Sequence, residues 1–326
     1  MKIFITGATG FIGTHLSARL LEDHEVTVLI RDNSVAAAYS GKGFHVVNGD
    51  IFDTIKLRSG MYGCDLVFHL AAFTRPASKD TSLSYKTNVD GTGNVIQAAA
   101  MSGVKKLIVT STAGTMGFSI DGSPVNEDTN IDPVLYTEYE RTKLQAEKLA
   151  LAASSEKMSV VVVNPSRVYG PGNMSDSNSV TKIIRLYGKG IWRIIPGNGT
   201  ATGNYAYIDD VVNGHLLAAR FGRGGQRYIL GGENLTYTQF FQTLGKVYGK
   251  ELKMVHISPS AMKGIASSAR FLSRITGSQP FISESWIDKY LQNWILSSRK
   301  AIDELSYTIT PFEEGAARTA EWLKKG

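Results

Sequence analysis

The chain has 326 residues, 43% hydrophobic and 20% charged, enough apolar material for one large α/β domain or one with a second lobe. Its net charge of +6 comes from scattered Lys and Arg that form no basic run interleaved with aromatics, which argues against a nucleic-acid partner. One cysteine, Cys64, excludes an internal disulfide, the six His show no metal-ligand spacing, and no stretch of about 18 uncharged apolar residues suits a membrane span.

Ile3-Phe4-Ile5 reads as a strand, Thr6 to Gly13 as a glycine turn, and the residues up to Leu21 as an amphipathic helix. Glycines there let the backbone turn tightly beside a diphosphate, while the first NH groups of the helix face its charge. The spacing is G-x-x-G-x-x-G, one residue wider than the common dinucleotide fingerprint. Val26 to Ile30 is a second strand, ending where a dinucleotide fold touches the adenosine ribose. Arg31 there would pair with a 2′-phosphate and favours NADP; Asp32 beside it could instead accept from a free 2′-hydroxyl of NAD.

Phe44 to Val47 is a third strand leading to Asp50, which could accept from an adenine amino group. Leu66 to Ala72 is a fourth, ending in Ala71-Ala72, small enough for a cofactor to come close. Asn88 opens a helical run through Ala100; facing inward it would hold backbone or water, and facing outward it would cap the helix. Lys106 to Thr110 is a fifth strand running into Ser111-Thr112-Ala113-Gly114, hydroxyls able to donate to a carbonyl oxygen or accept from an alcohol. After a loop containing Asp132-Pro133, a helix opens at Tyr139 and continues to about Ala153. Tyr139 and Lys143, four residues apart, share one face of it. A neighbouring ammonium is expected to draw the phenol's pKa down and make it an acid/base for carbonyl–alcohol exchange. Val160 to Val163 reads as a sixth strand, buried on both faces.

Together these motifs resemble the extended short-chain dehydrogenase/reductase family. The resemblance rests on Thr6 to Gly13, His69-Leu70-Ala71-Ala72, Thr110 to Ala113, Tyr139-x-x-x-Lys143 and Asn164 to Gly172, and it extends through Tyr207 to Val212. It implies an α/β, Rossmann-type doubly wound parallel sheet with a smaller, mainly helical substrate-binding lobe. It also implies Tyr139 as acid/base, Lys143 as the residue that lowers its pKa and holds the nicotinamide ribose, and Thr112 as the substrate-orienting hydroxyl, with Ser111 second. The implied cofactor cleft takes in Gly7, Thr9, Gly10, Phe11, Ile12, Gly13, Arg31, Asp50, Ile51, Leu70, Ala71, Ala72, Asn88, Thr110, Tyr139, Lys143, Pro165, Ser166 and Arg167. Arg167 stands where many members have Asn.

The expected division is 1–170 for the dinucleotide-binding domain with a returning segment at about 204–232, and 171–203 with 233–326 for the substrate lobe. Gly172 to Ser179 reads as a lid or substrate loop, Gln226 to Leu230 as the returning strand, and the aromatics at Phe271, Phe281, Trp286, Tyr290 and Trp294 as core.

The resemblance leaves two enzyme classes open, net reduction or oxidation of a carbonyl–alcohol pair and sugar-nucleotide epimerisation or dehydration. A third possibility is a cofactor-holding regulatory protein without catalysis. Sugar-nucleotide enzymes of the family usually carry an arginine where Gly203 stands, and an uncharged residue supplies no bidentate phosphate clamp. The expectation is therefore an NADP-dependent, or NAD-dependent, reductase of a ketone or aldehyde. Its partner is expected to be a small molecule, its location cytoplasmic, with neither metal nor membrane involved, and its assembly a homodimer as is common in the family.

Overall fold

The computed structural model describes residues 1–74, 81–129, 132–174, 178–276 and 284–325. Strand and helix alternate from the start: β1 (Lys2–Thr6), α1 (Phe11–Leu21), β2 (Glu25–Ile30), α2 (Asn33–Ser40), β3 (His45–Asn48), α3 (Thr54–Met61), β4 (Leu66–His69), α4 (Thr81–Tyr85), α5 (Gly91–Met101), β5 (Lys106–Thr110), α6 (Glu138–Ala152) and β6 (Ser159–Pro165). A π-helical turn at Lys86–Asp90 precedes α5, and a 3₁₀ turn at Ala113–Met116 follows β5. The remainder comprises β7 (Arg167–Tyr169), α7 (Ser179–Gly188), β8 (Ile194–Pro196), β9 (Thr202–Tyr207), α8 (Ile208–Phe221), β10 (Arg227–Leu230), β11 (Glu233–Thr236), α9 (Tyr237–Tyr248), β12 (Val255–Ile257), α10 (Pro259–Thr276), α11 (Glu284–Tyr290), α12 (Arg299–Leu305) and α13 (Phe312–Lys325).

Seven strands form one parallel sheet in the order β10-β6-β5-β4-β1-β2-β3, the doubly wound Rossmann arrangement expected from the sequence. The β6 valines show why its strands read as unbroken apolar runs. Val161 and Val163 enter the core on one face of the sheet, Val160 and Val162 the core on the other, so no position is left for a polar residue. Helices α1 and α8 pack together on the first face, and α3, α5 and α6 on the second. Because every strand runs the same way, Thr6, His69, Thr110 and Pro165 all end at one edge of the sheet. The order reverses at β1, and the crevice beyond that reversal is where such sheets take ligands.

Residues after β6 build a second layer around a small sheet, β11-β9-β7. Its core is aromatic: Phe240 lies 4.8 Å from both Tyr205 and Phe312, and Tyr169 lies 5.1 Å from Phe312, ring centre to ring centre. The expected return to the main sheet is made by β10, which pairs with β6 from Arg227↔Val162 to Leu230↔Pro165.

The stretch from Tyr207 to Val212, where the family resemblance ends, spans a strand-to-helix junction. The strand stops at Tyr207, and Asp209 and Asp210 lie in the first turn of α8, where carboxylates are favoured by the helix dipole. Asp210 also accepts from the Thr310 backbone NH and hydroxyl, both at 2.7 Å. Of the expected aromatic core, Trp294 is buried, while the side chains of Phe271, Phe281 and Trp286 lie outside the described residues. So do Ser175 to Ser177 of the expected lid. Among the described residues no helix is long and apolar enough to cross a membrane.

Candidate active site

The glycine turn between β1 and α1 is shaped by close backbone approach. Gly7 has φ +76°, and a Cβ there would lie 2.5 Å from the Ala71 nitrogen. A Cβ on Gly13 would lie 2.0 Å from the Gly7 carbonyl oxygen. Gly10 occupies the cap position of α1 with no side-chain cap, so the first NH groups of that helix keep no side-chain partner.

Behind the turn runs a chain of buried neutral hydrogen bonds. The Ala71 NH donates to Thr6 Oγ1 at 3.4 Å, and Thr6 Oγ1 lies 2.7 Å from His69 Nδ1. His69 Nε2 lies 2.9 Å from Thr92 Oγ1, whose own proton goes to the Asn88 carbonyl at 2.6 Å. Since Thr92 is the donor there, His69 must carry its proton on Nε2 and accept at Nδ1. Burial, with the Lys143 charge adding to it, lowers the His69 pKa to about 3, which keeps the ring neutral. The Asn88 side chain accepts from the Phe73 NH at 2.7 Å and donates to the Phe73 carbonyl and to Thr142 Oγ1. Of the two readings for Asn88, the inward one holds: it is fully buried in the π-helical turn and fixes the backbone just after Ala71-Ala72.

At the ends of β5 and β6 the hydroxyls divide their work. Thr112 Oγ1 accepts from the Gly114 NH at 3.2 Å and caps the 3₁₀ turn, which leaves its proton free to donate. Ser111 Oγ and Ser166 Oγ are buried without a hydrogen-bond partner. Such atoms are costly unless something completes them.

Tyr139 lies in the first turn of α6, behind a capping box in which Thr137 and Glu140 satisfy each other's backbone NH. The expectation that Lys143 draws the phenol's pKa down is corrected here. Burial first, and the Glu140 charge second, push Tyr139 above its ordinary value. The Lys143 ammonium is directed instead at the Thr110 carbonyl, 2.7 Å away, and burial brings its own pKa down to about 8 against the opposing pull of Glu147. The shared helical face is as expected, but the amine is spent on the end of β5.

Two carboxylates of α6 went unread in the sequence. Glu147, 1% exposed, accepts from Asn164 Nδ2 at 2.8 Å and Thr115 Oγ1 at 3.1 Å and pairs with Arg227 at 3.0 Å. Its signal was present, since Glu147 continues the four-residue step from Tyr139 to Lys143. Fully buried Glu140 pairs with Lys289 of α11 at 2.5 Å, a partner that no local spacing announces.

The model of the NAD dependent epimerase/dehydratase family matches residues 3–231. The chain belongs to that family. Its relatives include a putative dihydroflavonol 4-reductase of Synechocystis sp., 28% identical over 98% of this chain and 94% of that one. Another is the sterol demethylase protein B of Methylococcus capsulatus, 32% identical over 82% of this chain and 80% of that one. The crystal structure of gox2253 superposes with a TM-score of 0.81 at 29% identity, covering 99% of this chain and 98% of that chain.

The residues present fit the dinucleotide the family is named for. The unpartnered hydroxyls of Ser111 and Ser166 sit where the sheet crevice opens, and Gly10 leaves the α1 NH groups without a side-chain cap. Pro165 precedes Ser166 at the end of β6, and Leu70 follows β4, its NH donating to the Thr6 carbonyl at 3.0 Å. Thr9 and Phe11-Ile12 carry the turn into α1, and Ile51 is buried beside Gly91. At the adenosine end, the Asp32 carboxylate caps α2 by accepting from the Ser34 NH at 2.8 Å and the Val35 NH at 3.2 Å. Arg31 extends into solvent, its side chain 80% exposed and 3.6 Å from Asp50.

Arg167 departs most from the family pattern. It leaves the cofactor strands on β7 and lays its guanidinium among the rings of Tyr205, Tyr237 and Tyr290, at 5.7, 5.9 and 5.3 Å from their centres. A Cβ on Gly203 would lie 2.5 Å from Arg167 Nη1. The arginine missing at Gly203 is thus replaced by one reaching in from the neighbouring strand.

Proposed function

We propose that the chain is an NADP-dependent oxidoreductase that reduces a ketone or aldehyde, or oxidises the corresponding alcohol, with Tyr139 as the acid/base. The nicotinamide cofactor supplies or accepts the hydride when bound. Thr112, its acceptor side taken by the Gly114 NH, donates its proton to the substrate oxygen and orients it. Tyr139, held protonated by burial, gives its proton to that oxygen in the reducing direction. Lys143 holds the end of β5 through the Thr110 carbonyl and places positive charge beneath the site. Ser111 and Ser166 offer their unpartnered hydroxyls to the cofactor or substrate.

The observations that carry the reading are a hydroxyl free to donate and two buried orphan hydroxyls at the strand ends of a nucleotide-binding sheet, with Tyr139 in the first turn of the helix that sends Lys143 to the end of β5. The choice of NADP rests on Asp32, whose carboxylate is already committed to α2, and on Arg31, which is exposed and able to turn to a 2′-phosphate. One observation favours a second reading as a sugar-nucleotide epimerase or dehydratase: Arg167 restores a cation beside Gly203.

A panel of aldehydes, ketones and nucleotide sugars, followed at the nicotinamide absorbance band with NADPH and NADH, separates the two. Net oxidation of NADPH by a carbonyl compound is the expected result. Turnover of a nucleotide sugar without net change in absorbance would establish the second reading instead.

A further inference from the structure

Arg167 is a partly buried cation with no counter-ion among the described residues. Its Nη2 is buried and makes no hydrogen bond, and Nη1 reaches only the hydroxyls of Tyr237 at 3.3 Å and Tyr205 at 3.5 Å. Among the described residues no carboxylate pairs with it. Nearby acids are engaged elsewhere, Glu140 with Lys289 and Glu233 with the Phe312 NH. Burial works against the charge, yet the oxygens of Tyr237, Tyr205 and Tyr290 outweigh it and hold the guanidinium protonated. Three rings recover part of the lost hydration through cation–π contact, but they leave a donor unused in a setting where an unmet charge-bearing donor is expensive.

The cage is also tied to the chemistry. Tyr290 lies against Arg167 while the preceding residue, Lys289, reaches Glu140, the residue after Tyr139. Tyr237 donates its hydroxyl proton to the Tyr290 carbonyl at 2.9 Å, so β7, β9, α9 and α11 converge on one spot beside the first turn of α6. Gly203 is required for this, because any side chain there would displace the guanidinium.

We propose that Arg167, within the ring of Tyr205, Tyr237 and Tyr290, is a substrate-binding residue that takes a carboxylate of the substrate, so that the compound turned over is a carboxylated ketone, aldehyde or alcohol. A carboxylate places one negative charge against this guanidinium and uses the idle nitrogen, while the rings pack its hydrocarbon part. A diphosphate would bring more charge than this single cation neutralises.

The inference rests on the oxidoreductase reading for the identity of the reacting group, but its test needs no turnover. Calorimetric titration of the whole protein, loaded with NADP, compares acetate, cyclohexanecarboxylate and benzoate with the corresponding neutral amides. At least one carboxylate is expected to bind about tenfold or more tighter than its amide, as suits a hydrogen bond to a charged group. Arg167→Gln, shown by cooperative melting to be folded, is expected to bring the pair to near parity. Should that variant not fold, Arg167→Lys keeps the charge, removes the planar fork, and is expected to lose most of the preference.

Equal binding of acid and amide by the wild type, no saturable binding of any of the acids, or a preference undiminished in the variant would each overturn the assignment. So would inorganic pyrophosphate binding more tightly than every carboxylate in an Arg167-dependent way, which would give the cation to a diphosphate. A carboxylate preference in a protein that reduces no carbonyl compound would sink the oxidoreductase reading alone. Equally fast reduction of acids and their amides would sink only the carboxylate.

Discussion

Tyr139 and Lys143 show how much a four-residue spacing conveys and where it stops. The spacing puts both on one face of α6, and the helix is where the sequence placed it, Glu138–Ala152 against an expected start at Tyr139. What the amine is doing depends on the Thr110 carbonyl, 33 positions away, and that could not be read locally. Because the partly buried phenol has its pKa pushed up and is protonated at neutral pH, it is cast as a donor in the reducing direction. Tyr139→Phe is expected to lower kcat by about 10²–10⁴-fold while NADP still titrates the protein's fluorescence, and unchanged kcat would remove Tyr139 from the mechanism. For Arg31 the expected outcome is selective. Arg31→Ala should weaken NADP by about tenfold or more and leave NAD within about twofold, since only NADP carries the 2′-phosphate. An equal loss for both cofactors would show that the exposed guanidinium is not a phosphate clamp.

The elements that carry the cofactor turn are held by groups the motif itself does not contain. The glycine spacing was legible because tight backbone approach has few other solutions, as the 2.0 Å separation at Gly13 shows. The alternatives left open for Asn88 were decided by packing, since Phe73 and Thr142 surround its amide from two different elements. His69 joins the end of β4 to α5 through Thr6 and Thr92, and its environment predicts a pH effect. The unfolded chain takes up the imidazole proton near the ordinary 6.5, whereas the folded protein resists until about 3. The unfolded state therefore binds more protons in that window, and stability falls as pH drops through it. Relative to pH 7, His69 should cost about 2 kcal/mol at pH 5. Urea midpoints at the two pH values should show this loss in the wild type and a smaller one in His69→Gln; parallel losses would mean that the ring is not held neutral.

At the scale of the whole molecule, the segment 293–295 ties the loop after β5 to β9. Asn293 accepts from the Ser119 NH at 2.8 Å, Ile295 from the Val125 NH at 2.9 Å, and the Trp294 NH donates to the Thr202 carbonyl at 2.8 Å. The ion pair from Lys289 to Glu140 anchors α11 to α6. Lys289→Met would leave a buried carboxylate without its cation and is expected to destabilise the protein by about 3–5 kcal/mol. Adding Glu140→Gln should restore a good part of that in a denaturant-unfolding cycle; additive losses would show the two residues to be uncoupled. Taken by itself, the sequence determined the parallel sheet, the close-packed glycine turn and the shared helical face of Tyr139 and Lys143, because each follows from the periodicity of a strand or helix and from glycine geometry within a few residues. Only the tertiary structure decided which charges are answered. Arg167 meets Tyr205 and Tyr237 across 38 and 70 residues of chain, and Glu140 meets Lys289 from α11. A charge in sequence carries a sign, and its energy is set by the neighbours and the burial that folding brings to it.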